Sequence, residues 1–174
     1  MLCTPEIFAS QITALWPYGA VTVASTLEGE TIAEMAAAIL AAAPPRFALA
    51  GISMGGFIEF EIMRQAPERV IKLALLSTEA RPDTPEQSAQ RRTLLAQVDT
   101  GNFETLLALA VPAIVHPSHQ NDPALREVNV RMGLAVGIER WARQAEAPGV
   151  RWAAAARARE ARPWAGSPAP ETSA

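Results

Sequence analysis

The sequence predicts an α/β domain built on a short parallel sheet that is flanked by helices. Three observations support this fold class. Short apolar runs alternate with segments of helical periodicity over residues 1–79, a glycine-rich turn joins one apolar run to the next helix, and helical patterns alone follow from about residue 80. This alternation is typical of β-α-β units, in which crossover helices join parallel strands.

Helices and strands follow one another in the first half of the chain. Thr4–Leu15 has apolar residues at helical spacing, and Ala20–Ala24 has the composition of a strand. Thr31–Ala43 places its apolar residues on one stripe and ends at a proline pair, which predicts a second helix. Arg46–Ile52 and Val70–Leu76 are apolar runs of strand length, so the predicted order is β-α-β-α-β.

Three further helices are predicted in the second half. Gln87–Val98 follows a Thr-Pro helix start, and Phe103–Val111 is a second, more apolar helix. Leu125–Arg143 predicts a third helix, which we expect to be interrupted around Gly133 and Gly137.

A G-x-S-x-G motif lies between the Arg46–Ile52 strand and a helix. The motif contains Gly51, Ser53 and Gly55, and a further glycine, Gly56, follows it. Strand, G-x-S-x-G and helix together form a nucleophile elbow, a strained turn that exposes its serine above the sheet. We expect a side chain at Gly51 or Gly55 to collide where strand and helix nearly touch, and Gly56 to let the helix begin close to the sheet.

On these residues the chain resembles the α/β-hydrolase fold family, in particular its small bacterial carboxylesterase-like members. The resemblance implies a partial α/β-hydrolase, incomplete at both ends, that hydrolyses carboxylic esters or similar acyl compounds with Ser53 as nucleophile. It also implies that the backbone N–H of Met54 forms half of the oxyanion hole, and that a loop ending at Met1 and Leu2 forms the other half. A small acyl or ester substrate is implied, and no metal or organic cofactor.

The resemblance divides the chain into three parts. Residues 1–79 are the core βα units with the elbow, and residues 80–147 match an inserted helical lid, which would shape the acyl pocket and exclude water. Residues 148–174 are rich in Ala, Arg and Pro, and we expect them to be disordered. Arginine greatly outnumbers lysine, which indicates a GC-rich gene, so we hypothesise that this tail is out-of-frame sequence. The alternative is a genuine disordered extension.

The base and acid of a serine hydrolase follow the serine in this fold. The only histidines are His116 and His119, in a polar turn of the lid region, and Asp122 is close enough in sequence to orient His119. Glu79 and Asp83 follow the strand after the elbow and are weak candidates for the acid. Each of these five residues has an alternative interpretation as an ordinary polar residue of a surface loop.

A serine without a base is a poor nucleophile at neutral pH. We therefore expect an impaired serine hydrolase that is weak or inactive as the chain stands. The alternative is a non-catalytic pseudoenzyme or gene fragment that binds at most a small apolar ligand, and an acyltransferase is less favoured. Missing neighbouring strands would leave open sheet edges, through which we expect self-association.

The composition excludes several other classes of function. The chain has 174 residues, a hydrophobic fraction of 49% and a formal net charge of -3, which gives no indication of a nucleic-acid partner. No apolar run is long enough to span a membrane, and the N-terminus does not have the pattern of a signal peptide. Cys3 is the only cysteine, so we expect a cytoplasmic protein without an intrachain disulfide.

Overall fold

The computed structural model describes residues 2–80, 84–98 and 101–146. These parts are mostly helical and contain one two-stranded parallel sheet. The elements, in chain order, are α1 Ala9–Leu15, α2 Ile32–Ala42, β1 Phe47–Ile52, α3 Met54–Gln65, β2 Val70–Leu76, α4 Pro85–Gln97, α5 Phe103–Ile114, α6 Pro123–Val136 and α7 Ile138–Glu146. Short 3-10 turns cover Pro5–Phe8, Trp16–Tyr18, Pro67–Arg69 and Pro117–His119.

The sheet consists of β1 and β2, which α3 connects. The strands pair in parallel from Ala48 opposite Lys72 to Ile52 opposite Leu76, so their carboxyl ends lie side by side. The predicted strand at Ala20–Ala24 does not form. A strand needs a neighbour for its backbone hydrogen bonds, and no described strand lies beside this segment.

The main core lies between α2 and α3 and supports β1. Helix α2 begins with a capping box: Thr31 Oγ1 accepts a hydrogen bond from Glu34 N at 3.1 Å, and Glu34 Oε2 accepts one from Thr31 N at 3.1 Å. Partly buried side chains of β1 also pack against this cluster. Its buried members are Ile32, Met35, Ala36, Leu40, Met54, Phe57, Ile58, Ile62 and Ala66.

Arg69 connects the end of α2 to the beginning of β2. Its guanidinium donates hydrogen bonds to four backbone carbonyls and lies 5.6 Å from the centre of the Phe47 ring. The acceptors are Leu40 at 2.9 Å, Ala43 at 2.8 Å, Pro44 at 2.8 Å and Pro45 at 3.3 Å.

A second cluster holds the helices of the second half together. Phe103, Leu107 and Trp141 are buried there, with the rings of Phe103 and Trp141 stacked at 5.9 Å. The predicted third helix breaks at Gly137, where φ is 83°. It does not break at Gly133, since α6 runs through this residue. A Cβ on Gly133 would lie 2.4 Å from Leu107 Cδ2, so this glycine permits close packing of α5 on α6.

The N-terminal segment is attached to this second half. Leu2 packs against the second cluster, Glu6 forms an ion pair with Arg131, and Gln144 Nε2 donates to the carbonyl of Thr26 at 3.1 Å. The predicted tail, residues 148–174, lies outside the described residues. None of the helices in the described ranges combines the length and apolarity needed to cross a membrane.

Candidate functional site

Ser53 occupies a strained turn between β1 and α3. Its φ of 54° and ψ of -113° lie in a region that L residues rarely adopt, at a cost of about 1–3 kcal/mol. Three hydrogen bonds hold the turn: Ser53 N donates to the carbonyl of Leu76 at 3.0 Å, and the carbonyl of Ser53 accepts from Gly56 N at 3.0 Å and Thr78 Oγ1 at 2.9 Å. The side chain of Ser53 is exposed at the carboxyl edge of the sheet.

Two of the three elbow glycines are required by close approach. A Cβ on Gly51 would lie 2.8 Å from the carbonyl carbon of Gly55, and a Cβ on Gly56 would lie 2.3 Å from Thr78 Oγ1. The expectation of a collision at Gly55 is wrong, because a Cβ there meets no heavy atom within 4 Å. Gly55 faces open space, whereas Gly51 and Gly56 face the junction of strand, helix and the segment after β2.

A cavity of about 280 Å³ opens at Ser53. Its lining residues are Ser53, Phe57, Ser77, Thr78 and Glu79. These residues come from the turn after β1, the first turns of α3 and the segment after β2. The cavity therefore lies at the carboxyl ends of two parallel strands, which is where ligands bind in open α/β sheets.

Met54 places a backbone donor beside Ser53. It is the first residue of α3, so its N–H has no acceptor within the helix, and the helix dipole favours negative charge at this end. Leu2, predicted for the other half of the oxyanion hole, packs against the second cluster and does not line the cavity. Met1 lies outside the described residues.

The two histidines lie in the turn between α5 and α6. Both are exposed, and neither lines the cavity at Ser53. His116 Nδ1 is 2.9 Å from Ser118 Oγ. The carboxylate of Asp122 caps α6 by accepting from the N–H groups of its first turn, so the structure does not bring it to the His119 ring.

Glu79 is the acid candidate that the structure brings to Ser53, since both residues line the cavity. Asp83, the other candidate after β2, lies outside the described residues. Across the described ranges, no group of three or more His, Cys, Asp and Glu side chains has the arrangement of a metal site.

Known proteins were compared with the chain at three levels. No family model and no curated protein sequence matches it. A solved structure of a thermophilic esterase from Thermogutta terrifontis, with malate bound, superimposes with a TM-score of 0.55 and 25% sequence identity. The match covers 75% of this chain and 50% of the esterase chain. The fold is hydrolase-like. The chain spans half the length of the esterase that it resembles.

Glu59 is a feature of this hydrolase-like fold that the sequence motifs did not indicate. Its side chain is 1% exposed, and neither carboxylate oxygen has a hydrogen-bond partner among the described residues. Burial raises the pKa of Glu59 to about 8. The available signal in the sequence was a charged residue directly after Ile58 and three residues before Ile62, beside the apolar stripe of α3.

The sequence also gave no indication of Ser77 and Thr78, because no motif marks them. Ser77 adopts a φ of 43°, and Thr78 donates to the carbonyl of Ser53. Only the pairing of β1 with β2 brings this segment to the elbow. The hydrogen bond from Thr78 that holds the turn at Ser53 therefore depends on tertiary structure.

Proposed function

We propose that this chain is an esterase-type serine hydrolase in which Ser53 attacks the carbonyl carbon of a carboxylic ester or similar acyl compound. The observation that carries this proposal is the turn at Ser53. Its backbone is held at a φ of 54° by three hydrogen bonds, while its side chain faces a cavity. A strained, exposed serine of this kind is the hallmark of a nucleophile elbow. The esterase similarity supports the same assignment.

The geometry supports the following order of events. Ser53 Oγ gives its proton to the carboxylate of Glu79 and bonds to the acyl carbon, and the electron pair of the carbonyl double bond moves to the oxygen, which becomes an oxyanion. The N–H of Met54, at the positive end of α3, is placed to donate to that oxyanion. The oxyanion then reforms the carbonyl, the C–O bond to the alcohol breaks, and the alcohol leaves with the proton from Glu79. Water bonds to the acyl carbon and gives a proton to Glu79, which returns it to Ser53 Oγ as the acid leaves. The proposed contribution of Leu2 gains no support from its position in the second cluster.

Proton transfer limits this activity. No histidine is among the residues that line the cavity, and Glu79 is the carboxylate that does line it. A carboxylate is a weaker general base than imidazole at neutral pH, because its pKa lies further from the working pH. We therefore propose slow hydrolysis, at a small fraction of the rate of a complete serine esterase.

A fluorophosphonate probe and a short-chain nitrophenyl ester test the proposal. The probe should label the native chain, and Ser53→Ala should abolish both labelling and ester hydrolysis. Ser77→Ala is the matched control, because Ser77 lines the same cavity and also has a positive φ. We expect it to be labelled at a rate close to that of the native chain. Equal labelling of the Ser53→Ala variant and the native chain would refute the proposal.

The second candidate function is non-catalytic binding of a small apolar ligand. The observation that favours it is the lining of the cavity, which includes the buried ring of Phe57 and no histidine. In that case ligand binding measured by NMR would persist in Ser53→Ala, and neither protein would react with the probe. An acyltransferase would differ only in the acceptor, for which the structure gives no separate support.

A further inference from the structure

The carboxyl group of Glu59 lies beneath the elbow. Glu59 is in the second turn of α3, and its side chain is 1% exposed. A Cβ on Gly51 would lie 2.7 Å from Glu59 Cδ and 2.9 Å from Glu59 Oε2. The carboxyl group therefore fills the space that the absent side chain of Gly51 leaves under the junction of β1 and α3.

Among the residues that the structure describes, no charged group forms an ion pair with Glu59. Strand β1 contains no titratable residue, and neither oxygen of Glu59 is hydrogen-bonded within the described residues. Burial is the cause of its raised pKa of about 8. The charged groups on the elements packed around Glu59 have other roles. On α3, Glu61 pairs with Arg64, and on α2, Glu34 caps the helix. Arg69 binds backbone carbonyls, Glu79 lines the cavity, and Lys72 is exposed on β2.

We propose that Glu59 is a positioning residue for Ser53, a role that rests on the proposed function: its neutral carboxyl group holds the elbow closed, and its ionisation opens the elbow. A carboxylate in this place would have neither a donor nor a counter-charge, so it must reach water. The carboxyl group lies against Gly51, two residues before Ser53, and the backbone of Gly55, two residues after Ser53, borders the same space. The turn that strains Ser53 is therefore the first structure to be lost.

The predicted pH response has an unusual sign. The reactivity of an ordinary serine nucleophile rises with pH, because its base becomes deprotonated. Here the ratio of open to closed elbow rises by about tenfold for each pH unit between the ordinary carboxyl pKa of 4.5 and the raised pKa of Glu59, and it is constant above that value. Ser53 should therefore lose reactivity as the pH rises towards 8, although deprotonation of its hydroxyl becomes easier over the same range.

Backbone amide exchange tests the opening without requiring catalysis. The full chain and three variants, Glu59→Gln, Glu59→Met and Glu68→Gln, are compared at about pH 6.5 and about pH 9.5, with rates corrected for intrinsic exchange. Glu59→Gln keeps the shape of the side chain but has no ionisable group, and Glu59→Met replaces it as the test variant if Glu59→Gln does not fold. Glu68→Gln is the control, because it removes an exposed carboxylate.

The expected result concerns the segment 47–60. The native chain and Glu68→Gln should lose about tenfold or more of their protection at the higher pH, while the Glu59 variants retain theirs. An equal response in the native chain and the Glu59 variants would overturn the proposal.

Labelling of Ser53 by a fluorophosphonate distinguishes a positioning role from a merely structural one. If Glu59 only stabilised the fold, its ionisation would not change the pH dependence of the labelling rate. The labelling rate of the native chain should fall behind that of Glu59→Gln as the pH rises from about 5 to about 8, while that of Glu59→Gln should continue to rise. A native rate that rises in parallel with that of the variant would overturn the positioning role. If no protein is labelled at any pH, the proposed function of Ser53 fails, and amide exchange still decides whether Glu59 controls the elbow.

Discussion

The two strands of the sheet are alike in sequence and unlike in surroundings. Both are short and apolar, and each is followed by a serine with positive φ, 54° at Ser53 and 43° at Ser77. Strand β1 supports the core of α2 and α3, whereas β2 is exposed along most of its length, with Ile71 53% exposed. An apolar strand is thus not buried by its composition alone, because other elements must cover it.

The same contrast separates the two serines. Ser53 is followed at once by α3, which supplies a free N–H at its first residue and the positive end of its dipole. Ser77 is followed by a loop segment, in which Thr78 donates to the carbonyl of Ser53. The end of β2 therefore supports the end of β1, and a strained serine gains a candidate catalytic role only where a helix begins behind it.

The largest expected change in stability comes from Glu59, beneath the end of β1. Its pKa of about 8 in the folded chain exceeds the ordinary value of 4.5, so its contribution is fully present below about pH 4.5 and is lost as the pH rises towards 8. Glu59→Met removes this dependence. In urea titrations the variant should gain on the order of 3 kcal/mol over the native chain between about pH 5 and about pH 8. A constant difference across this range would contradict the burial of the carboxyl group.

Gly56→Ala should break the contact between the segment after β2 and the turn after β1. The added Cβ would lie 2.3 Å from Thr78 Oγ1, so Thr78 must move and its hydrogen bond to the carbonyl of Ser53 is lost. We expect the free energy of unfolding to fall by about 1–3 kcal/mol. Gly55→Ala is the control, because a Cβ there meets open space and alanine favours a helix by about 1 kcal/mol. Equal losses from both substitutions would rule out this contact.

Self-association should depend on β2. Its exposed apolar side chains and unpaired outer edge favour pairing with a second copy of the chain, and antiparallel pairing about Leu73 would place Lys72 opposite Ala74 without opposing like charges. Leu73→Lys should weaken the dimer by about tenfold in sedimentation equilibrium. Leu109→Lys changes a leucine on α5 that is more exposed than Leu73, 69% against 39%, and should have no effect. A native chain that stays monomeric at high concentration would exclude this pairing.

The smallest expected effect is on stability, when Ser53 or Ser77 is replaced by glycine or by alanine to measure the backbone strain at that position. Glycine adopts a positive φ without the steric cost of a Cβ, so Ser53→Gly should be more stable than Ser53→Ala by about 1 kcal/mol. Ser77→Gly and Ser77→Ala should differ by a similar amount, because both turns are left-handed. Thermal unfolding of the four variants provides the comparison. A glycine advantage at one serine alone would show that the other turn relaxes when its side chain is changed.

Local signals in the sequence were enough to predict several elements. The apolar stripe of Thr31–Ala43 and the following proline pair predicted α2, and Val70–Leu76 forms β2 with the predicted bounds. The strand predicted at Ala20–Ala24 failed because strand formation depends on a neighbour that no local pattern reveals. Likewise, the sequence could not separate Gly133 from Gly137, since packing of Leu107 on Gly133 is a contact between helices.

In the candidate site, too, local features could be predicted from the sequence and contacts between distant segments could not. The G-x-S-x-G motif predicted the turn at Ser53 because its geometry is local to seven or eight residues. The separation of His119 from the cavity, the capping role of Asp122 and the burial of Glu59 depend on how distant segments pack. Each lies beyond what spacing along the chain can indicate.

Arg69 also determines the order in which the chain can fold during its synthesis. The last carbonyls of α2 and those of the following prolines find their donors in a side chain that lies 24 to 29 residues further along. A nascent chain that has not yet reached residue 69 leaves these carbonyls to water, so the last turn of α2 frays. Completion of α2 must therefore wait for the chain that leads into β2, and the two are expected to form in one cooperative step.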